Sequence, residues 1–166
     1  MPQPRTNGQV KSRTSKSKPA PDAIELLKAD HREAEAWFDD FERTDSAPKK
    51  RKLAAQICKA LKVHTQIEEE IFYPACRKAG ISEDMMDEAD VEHDAAKKLI
   101  EQVERGKPGD DHWDARVTVL GEMIKHHVKE EEGRDGMFAK AKKSELDLEE
   151  LGEAMKARKD QLMRQS

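Results

Sequence analysis

The feature that most constrains this chain is a histidine followed four residues later by a glutamate, with both residues on the apolar face of a predicted helix; this arrangement occurs twice. His64 and Glu68 form the first pair, in HTQIEEEIFYP, and His127 and Glu131 form the second, in HHVKEEE. Residues four apart on a helix lie on one face, one turn above each other. Both pairs occupy positions that the surrounding apolar spacing assigns to the core of a helical protein.

Four segments show the alternating three- and four-residue apolar spacing of amphipathic helices, and each has a histidine on its apolar face. Asp22 and Ser82 precede two of these segments as predicted N-caps, and Pro74 is expected to kink or end the second helix. A last segment predicts a shorter helix capped by Ser144. The four apolar faces cover residues 24–41 with His31, 53–75 with His64, 86–103 with His93 and 113–138 with His127.

The composition favours an all-α fold of about one domain. Charged residues make up 40% of the 166 residues and aromatic residues only 4%, and no strand pattern is present. Short loops between four helices favour neighbours that run in opposite directions. The sequence predicts a disordered basic tail at 1–20, an up-down-up-down antiparallel four-helix bundle at 21–143, and a C-terminal amphipathic helix at 144–166 packed on the bundle.

Charge and hydropathy narrow the partners. A net charge of −4 is mild, so no nucleic acid is expected as a partner. No apolar run approaches the roughly 18 residues of a membrane span and no secretory signal opens the chain, so a cytoplasmic location is expected. The basic tail could contact nucleic acid or an anionic surface, or resemble an organelle-targeting segment, although it lacks the apolar face of a targeting helix; a solvated tail without an assigned task is favoured. Cys58 and Cys76 would lie about 27 Å apart on one helix, which predicts reduced, structural thiols.

Polar residues on the apolar faces need a physical explanation. A buried carboxylate or imidazole without a partner costs several kcal/mol or changes its protonation. A single histidine readily finds a hydrogen-bond partner in a core. The combined cost of burying six unpaired polar residues, however, would exceed the typical free energy of unfolding of about 5–15 kcal/mol. Bound cations remove that cost, because they neutralise carboxylates and accept imidazole lone pairs. The candidate metal ligands are His31, His64, Glu68, His93, His127 and Glu131.

The type of ligand indicates the metal. Imidazoles and carboxylates without a thiolate suit iron, with manganese or zinc less favoured. Two octahedral ions offer about twelve positions, of which this ligand set and a shared oxo or hydroxo group fill about ten, so water, dioxygen, peroxide or a small anion could occupy the rest. The hypothesis places His31 and His64 on one metal, His93 and His127 on the other, and Glu68 and Glu131 as bridges.

Neighbouring polar residues are interpreted differently. His126 points away from the apolar face that carries His127, and His112 precedes the fourth helix, so neither is expected to be a ligand. Four glutamates are interpreted as a solvated acidic face, one of which could accept a hydrogen bond from a ligating imidazole. These glutamates are Glu69, Glu70, Glu130 and Glu132.

With these motifs, the chain resembles hemerythrin-like (HHE cation-binding) domains over residues 22–142. The resemblance rests on His31, HTQIE with the following EEIFYPA, EHD around His93, and HVKEE at 127–131. It implies a four-helix bundle that holds a non-haem, oxo-bridged di-iron centre with the six ligands named above. Lys97 stands where respiratory hemerythrins have a second histidine, and Glu131 replaces an aspartate one residue further on. The chain is therefore more similar to the broader bacterial-type branch than to oxygen carriers.

Three functions follow from this reading. The favoured one is a binding module that binds or senses dioxygen, nitric oxide or peroxide, because no general acid or base distinct from the ligands is evident. The alternative is a di-iron enzyme acting on peroxide or nitric oxide, or an iron donor for iron-centre repair. A structural bundle with incidental metal is the third. The sequence does not indicate a redox partner.

Overall fold

Helices account for nearly all of the computed structural model, which describes residues 19–165. No strand occurs within that range, so the predicted all-α bundle is confirmed. Five residues between the second and third helices form a π-helical turn, Glu68–Phe72. The α-helices are α1 Ala23–Arg43, α2 Ala47–Ile67, α3 Tyr73–Lys78, α4 Glu83–Arg105, α5 Trp113–Glu132, α6 Met137–Lys143 and α7 Leu148–Arg164.

Side-chain caps fix where several of these helices begin. Asp22 Oδ1 accepts a hydrogen bond of 2.9 Å from the amide of Glu25, and Ser82 Oγ accepts one of 3.4 Å from the amide of Met85. Both residues were predicted as caps, and each satisfies an amide that has no partner within its helix. Helices α1 and α4, which each carry one histidine of the motif set, therefore start where the sequence indicates.

The π-helical turn changes which side chains face the core after Glu68. The amide of Tyr73 donates to the carbonyl of Glu68, five residues earlier, so the turn holds one more residue than an α-helical turn. Ile71, which lies within the predicted apolar face, is only partly buried against the core, whereas the next residue, Phe72, has no exposed surface. The helix also continues past Pro74 to Lys78, because a proline at the start of a helix lacks only an amide that needs no helical partner.

The long helices surround a polar layer that lies between two apolar clusters. Helix α1 packs against α2 and α5, and α4 packs against the same two helices. Ile24 and Phe138 belong to the cluster on one side of the layer, and Leu61 and Leu120 belong to the cluster on the other. The layer is thus held by apolar packing from both sides, and its side chains are shielded from bulk water.

The C-terminal part departs from the predicted boundaries in one respect. Ser144 ends the short helix α6, and the N-cap of α7 is Asp147, whose side chain accepts from the amide of Glu150 at 3.0 Å. The prediction that Ser144 caps the last helix is therefore wrong, because α6 takes up residues 137–143. Helix α7 packs across α1 and α2, with Met155 fully buried.

Two further predictions concern the cysteines and the N-terminal tail. Cys58 and Cys76 are free and buried, as predicted, and burial raises the pKa of each thiol to about 12. The predicted disordered tail lies outside the described residues over 1–18. Within residues 19–165, no helix has both the length and the apolar character that crossing a membrane requires.

Candidate metal centre

Six side chains from four helices and the π-helical turn meet in the polar layer, and they are the six that the sequence singles out. Helix α1 contributes one histidine, α2 and the π-helical turn a histidine and a glutamate, α4 one histidine, and α5 a histidine and a glutamate. None of the six is more than 7% exposed. They are His31, His64, Glu68, His93, His127 and Glu131.

The two glutamates lie between the histidines. Glu68 Oε1 is 3.1 Å from His64 Nε2 and 3.3 Å from His93 Nε2. Glu131 Oε1 is 2.9 Å from His127 Nε2 and 3.5 Å from His31 Nε2. Each carboxylate thus contacts one histidine of each hypothesised pair, which is the position that a bridging ligand requires.

The donor atoms fall into two groups, each compact enough to surround one ion. One group holds His31, His64 and Glu131, and the other holds Glu68, His93 and His127. Within each group the ligand atoms lie within 4.8 Å of one another. The structure therefore separates the histidines into the two pairs expected from the sequence.

Several of these atoms are buried without a hydrogen bond from any described residue. They include Nε2 of His31 and His64, both carboxylate oxygens of Glu68, and Oε1 of Glu131. The short distances between them do not have hydrogen-bonding angles, although the contacts are close. Buried polar atoms of this kind are rare and call for a partner that the chain does not supply. Cations fit this donor set, because carboxylate oxygens and imidazole nitrogens are their usual ligands.

On the outer side of the layer, carboxylates hold the histidine rings in place. His31 Nδ1 donates a hydrogen bond of 2.8 Å to Glu132, and His64 Nδ1 donates one of 2.9 Å to Asp30. A carboxylate can only accept, so Nδ1 carries a proton, and Nε2, which faces the centre, is the nitrogen whose lone pair a metal would take. This is the usual arrangement around histidines that bind metals.

The other two histidines have similar outer partners. His127 Nδ1 donates to Glu92 at 3.3 Å, and Glu69 Oε1 lies 3.8 Å from His93 Nδ1, beyond hydrogen-bonding distance. We call these four residues, Asp30, Glu69, Glu92 and Glu132, the outer carboxylates. Only Glu69 and Glu132 were among the possible hydrogen-bond partners expected from the sequence. Asp30 and Glu92 immediately precede a histidine in the sequence, which is the one signal that could have found them.

Without a cation, the electrostatics of the layer favour a protonated His64 beside an ionised Glu68. Burial disfavours the imidazolium form of His64, but the carboxylates of Glu68 and Asp30 outweigh it and raise its pKa to about 10. Burial likewise opposes ionisation of Glu68, yet His64 and His93 hold its pKa well below the usual range. A cation entering the layer would replace these protons as the source of positive charge.

Tyr73 is a seventh polar residue at the centre and was not among the residues expected there from the sequence. Its hydroxyl oxygen is 3.1 Å from His93 Nε2 and 3.3 Å from His127 Nε2, and it donates to Glu131 Oε2 at 3.5 Å. Burial, together with the charges of Glu68 and Glu131, raises the pKa of the phenol well above its usual value. The extra residue of the π-helical turn points this side chain inward.

The residues expected not to be ligands lie outside the centre. His126 is 66% exposed and pairs with Glu130 at 3.1 Å. His112 precedes α5 with a left-handed backbone, φ 65°.

A cavity of about 770 Å³ leads from the surface to the centre. Its walls include Leu61, Ala96 and Val128, and all four histidines of the centre line it as well. Val91 and Met163, two of the exposed large apolar side chains, also line it. The volume is within the range of small-molecule sites, so small neutral molecules could reach the histidines through apolar surroundings.

Comparison with known proteins agrees with this geometry. The family model of the hemerythrin HHE cation-binding domain matches residues 22–141. This chain belongs to the hemerythrin HHE family. The match contains every residue of the centre, including Tyr73. Membership of the HHE family, together with the two groups of histidine and glutamate, indicates a site for metal cations.

Two related proteins extend the comparison. A crystal structure of an HHE cation-binding domain-containing protein from Mycobacterium kansasii matches with a TM-score of 0.71 and 25% identity, covering 86% of this chain and 87% of that one. A Nostoc protein described as a DNA nickase is 27% identical over 111 residues, which are 65% of this chain. The present HHE chain spans only 30% of the length of that Nostoc protein.

Proposed function

We propose that this HHE protein holds two iron ions and binds a small ligand, dioxygen, nitric oxide or peroxide, at them. His31 and His64 would hold one ion and His93 and His127 the other, with Glu68 and Glu131 bridging. The observation that supports this most directly is the set of buried, inward-facing donor atoms that have no hydrogen bond from the described chain.

The donor set favours iron over other metals. The two groups contain imidazole and carboxylate donors and no thiolate, which suits iron, and manganese or zinc less well. Cys76 is buried, but its raised pKa keeps the thiol protonated and its sulfur is absent from both groups. Each group contains one glutamate, and the carboxylate of that glutamate also contacts a histidine of the other group. This arrangement supports a pair of ions rather than one.

The surroundings of the centre support a small exogenous ligand. Together with a shared oxo or hydroxo group, the proposed ligands would leave about two of twelve octahedral positions for it. The cavity reaches all four histidines, and its apolar walls limit the water around them. Iron, when bound, would supply the electrons and the coordination bond, while the chain orients the imidazoles and excludes solvent. Within this proposal, the expectations of no nucleic-acid partner and a cytoplasmic location remain predictions.

The proposal is tested by iron content and absorption spectra of protein purified without oxygen and then exposed to it. About two iron ions per chain and new near-ultraviolet bands are expected for the wild type. Glu131→Ala removes a buried bridging group and should halve the iron content or reduce it further. Glu130→Ala, at an exposed neighbouring position, is the matched control and should keep full loading. Equal iron loading in both variants, or a wild type that takes up no iron, would refute the proposal.

Tyr73 favours a second candidate, an enzyme that turns over peroxide or nitric oxide. Its buried hydroxyl is an ionisable group distinct from the proposed ligands and lies beside two of them. A hydroxyl in this position could donate a hydrogen bond to a substrate at the proposed site and stabilise charge that develops on it during turnover.

The two candidates are separated by Tyr73→Phe, which removes only the hydroxyl group. An enzyme should lose peroxide turnover while its iron content stays at the wild-type value. A binding module should show negligible turnover in both forms and a stable adduct with dioxygen or nitric oxide. Substantial turnover that is unchanged in Tyr73→Phe would remove the phenol from the chemistry.

A further inference from the structure

Three of the four outer carboxylates also contact a positively charged side chain. Lys159 Nζ donates to Asp30 Oδ1 at 2.5 Å, and Lys97 Nζ donates to Glu69 Oε1 at 2.6 Å. Arg32 donates to Glu132. Among residues 19–165, Glu92 has no lysine or arginine partner, and besides His127 it has only the exposed imidazole of His126, 3.8 Å away. The outer carboxylates are therefore not equivalent, because permanent cations neutralise three of them.

Lys159 differs from the other two cations in where it comes from. Arg32 and Lys97 lie on bundle helices within residues 22–141, whereas Lys159 lies on α7, beyond the segment that matches the family model. Its partner Asp30 is only 12% exposed, and Asp30 Oδ2 accepts the hydrogen bond from His64 Nδ1. One carboxylate thus connects α7 directly to an imidazole of the centre.

We propose that Lys159 is a positioning residue through which α7 sets the electron-donating strength of His64, and that it favours the reduced form of the iron centre. An imidazole whose N–H donates to a carboxylate is a stronger metal ligand. A cation on the same carboxylate withdraws charge from it and weakens that effect. This inference rests on the proposed iron centre and adds an element outside the matched domain to it.

The expected size follows from Coulomb's law. One carboxylate and one imidazole ring separate the ammonium of Lys159 from His64 Nε2. A unit charge acting over about 10 Å at an effective dielectric constant of about 20 changes a one-electron equilibrium roughly tenfold, after allowance for its partial exposure. Tenfold corresponds to about 59 mV for one electron.

The test compares variants of the full-length, iron-loaded protein. Lys159→Met removes the charge and should lower the reduction potential by about 59 mV. Lys159→Arg keeps the charge and should stay close to the wild type. Lys156→Met, at an exposed position on the same helix whose partner is Asp160, is the matched control and should not change the potential.

Asp30→Asn is an independent variant that should shift the reduction potential in the opposite direction to Lys159→Met. It removes the negative charge beside His64, so it should raise the potential, whereas a loss of packing alone gives no reason for opposite shifts. Iron content and thermal unfolding are measured on every variant. A wild type that takes up no iron refutes the proposed function itself. Normal iron loading, with the potential of Lys159→Met equal to that of Lys156→Met, refutes only the role of Lys159.

Discussion

Metal binding should depend steeply on pH, because a metal must displace a proton from His64. Without a cation, Glu68 and Asp30 raise the pKa of this buried imidazole from its ordinary 6.5 to about 10. Because pH 7 lies about three units below that pKa, displacing the proton at pH 7 costs about 4 kcal/mol. Affinity for a divalent cation should therefore rise about tenfold per pH unit from pH 7 towards 10 and then level off.

The same proton stabilises the metal-free fold, so the free energy of unfolding should fall as the pH rises, whereas the metal affinity should increase. A pKa raised on folding stabilises the folded state fully below the ordinary value of 6.5, and this stability is lost as the pH rises through about 10. The pKa of His127 is raised too, because Glu131 and Glu92 outweigh its burial. His64 should therefore release one proton when metal binds, and a second proton released from His127 would make the rise in affinity steeper than tenfold per pH unit.

Zinc is a suitable probe because it has no redox chemistry. Its affinity is measured by competition with a chelator of known protonation constants between pH 7 and 9, and the released protons by calorimetry in buffers of different ionisation enthalpy. His126→Asn, which removes an exposed imidazole next to His127, should keep the same slope. Equal affinity at pH 7 and 9, or NMR spectra that show His64 neutral at pH 7 in the metal-free protein, would refute this reasoning.

Two further predictions concern packing. Gly152→Ala places a methyl group 2.5 Å from the carbonyl oxygen of Pro21, so α7 must shift and the free energy of unfolding should fall by about 1–3 kcal/mol in denaturant titrations. Glu153→Ala, exposed on the same helix, should change it little, and equal values for both variants would contradict the close fit. Leu120→Ala, at a fully buried position in the apolar cluster away from α7, should cost about 2–5 kcal/mol in the same assay yet leave iron loading intact. A loss of iron from a variant that is still folded would contradict that separation.

The helical bundle and the convergence of six polar side chains follow from the spacing of the sequence. Apolar residues three and four apart define each helix, and a histidine such as His31 stands out because it interrupts a face that is otherwise apolar. Whether these side chains bind metal remains a proposal. Their meeting in one layer was predictable, because each lies several residues from both ends of the apolar pattern that carries it.

What the sequence did not predict depends on contacts that periodicity does not contain. A π-helical turn has no distinct composition, so its effect on Tyr73 and Phe72 required coordinates. Asp30 and Glu92 are ordinary acidic residues beside a histidine, and their role depends on how two helices face each other. Lys159 is more than a hundred positions from Asp30 in the chain, and no local pattern connects the two.

The π-helical turn has a consequence for how this centre could diversify. Glu68 and Tyr73 both face the centre although five positions separate them, because the turn between them holds one residue more than an α-helical turn. Deleting one residue between Glu68 and Phe72 would restore an ordinary helical turn and leave Tyr73 on the same face, since four residues of an α-helix turn through nearly the same angle as five of a π-helix. The length of this segment can thus vary by one residue while the glutamate before it and the phenol after it keep their places.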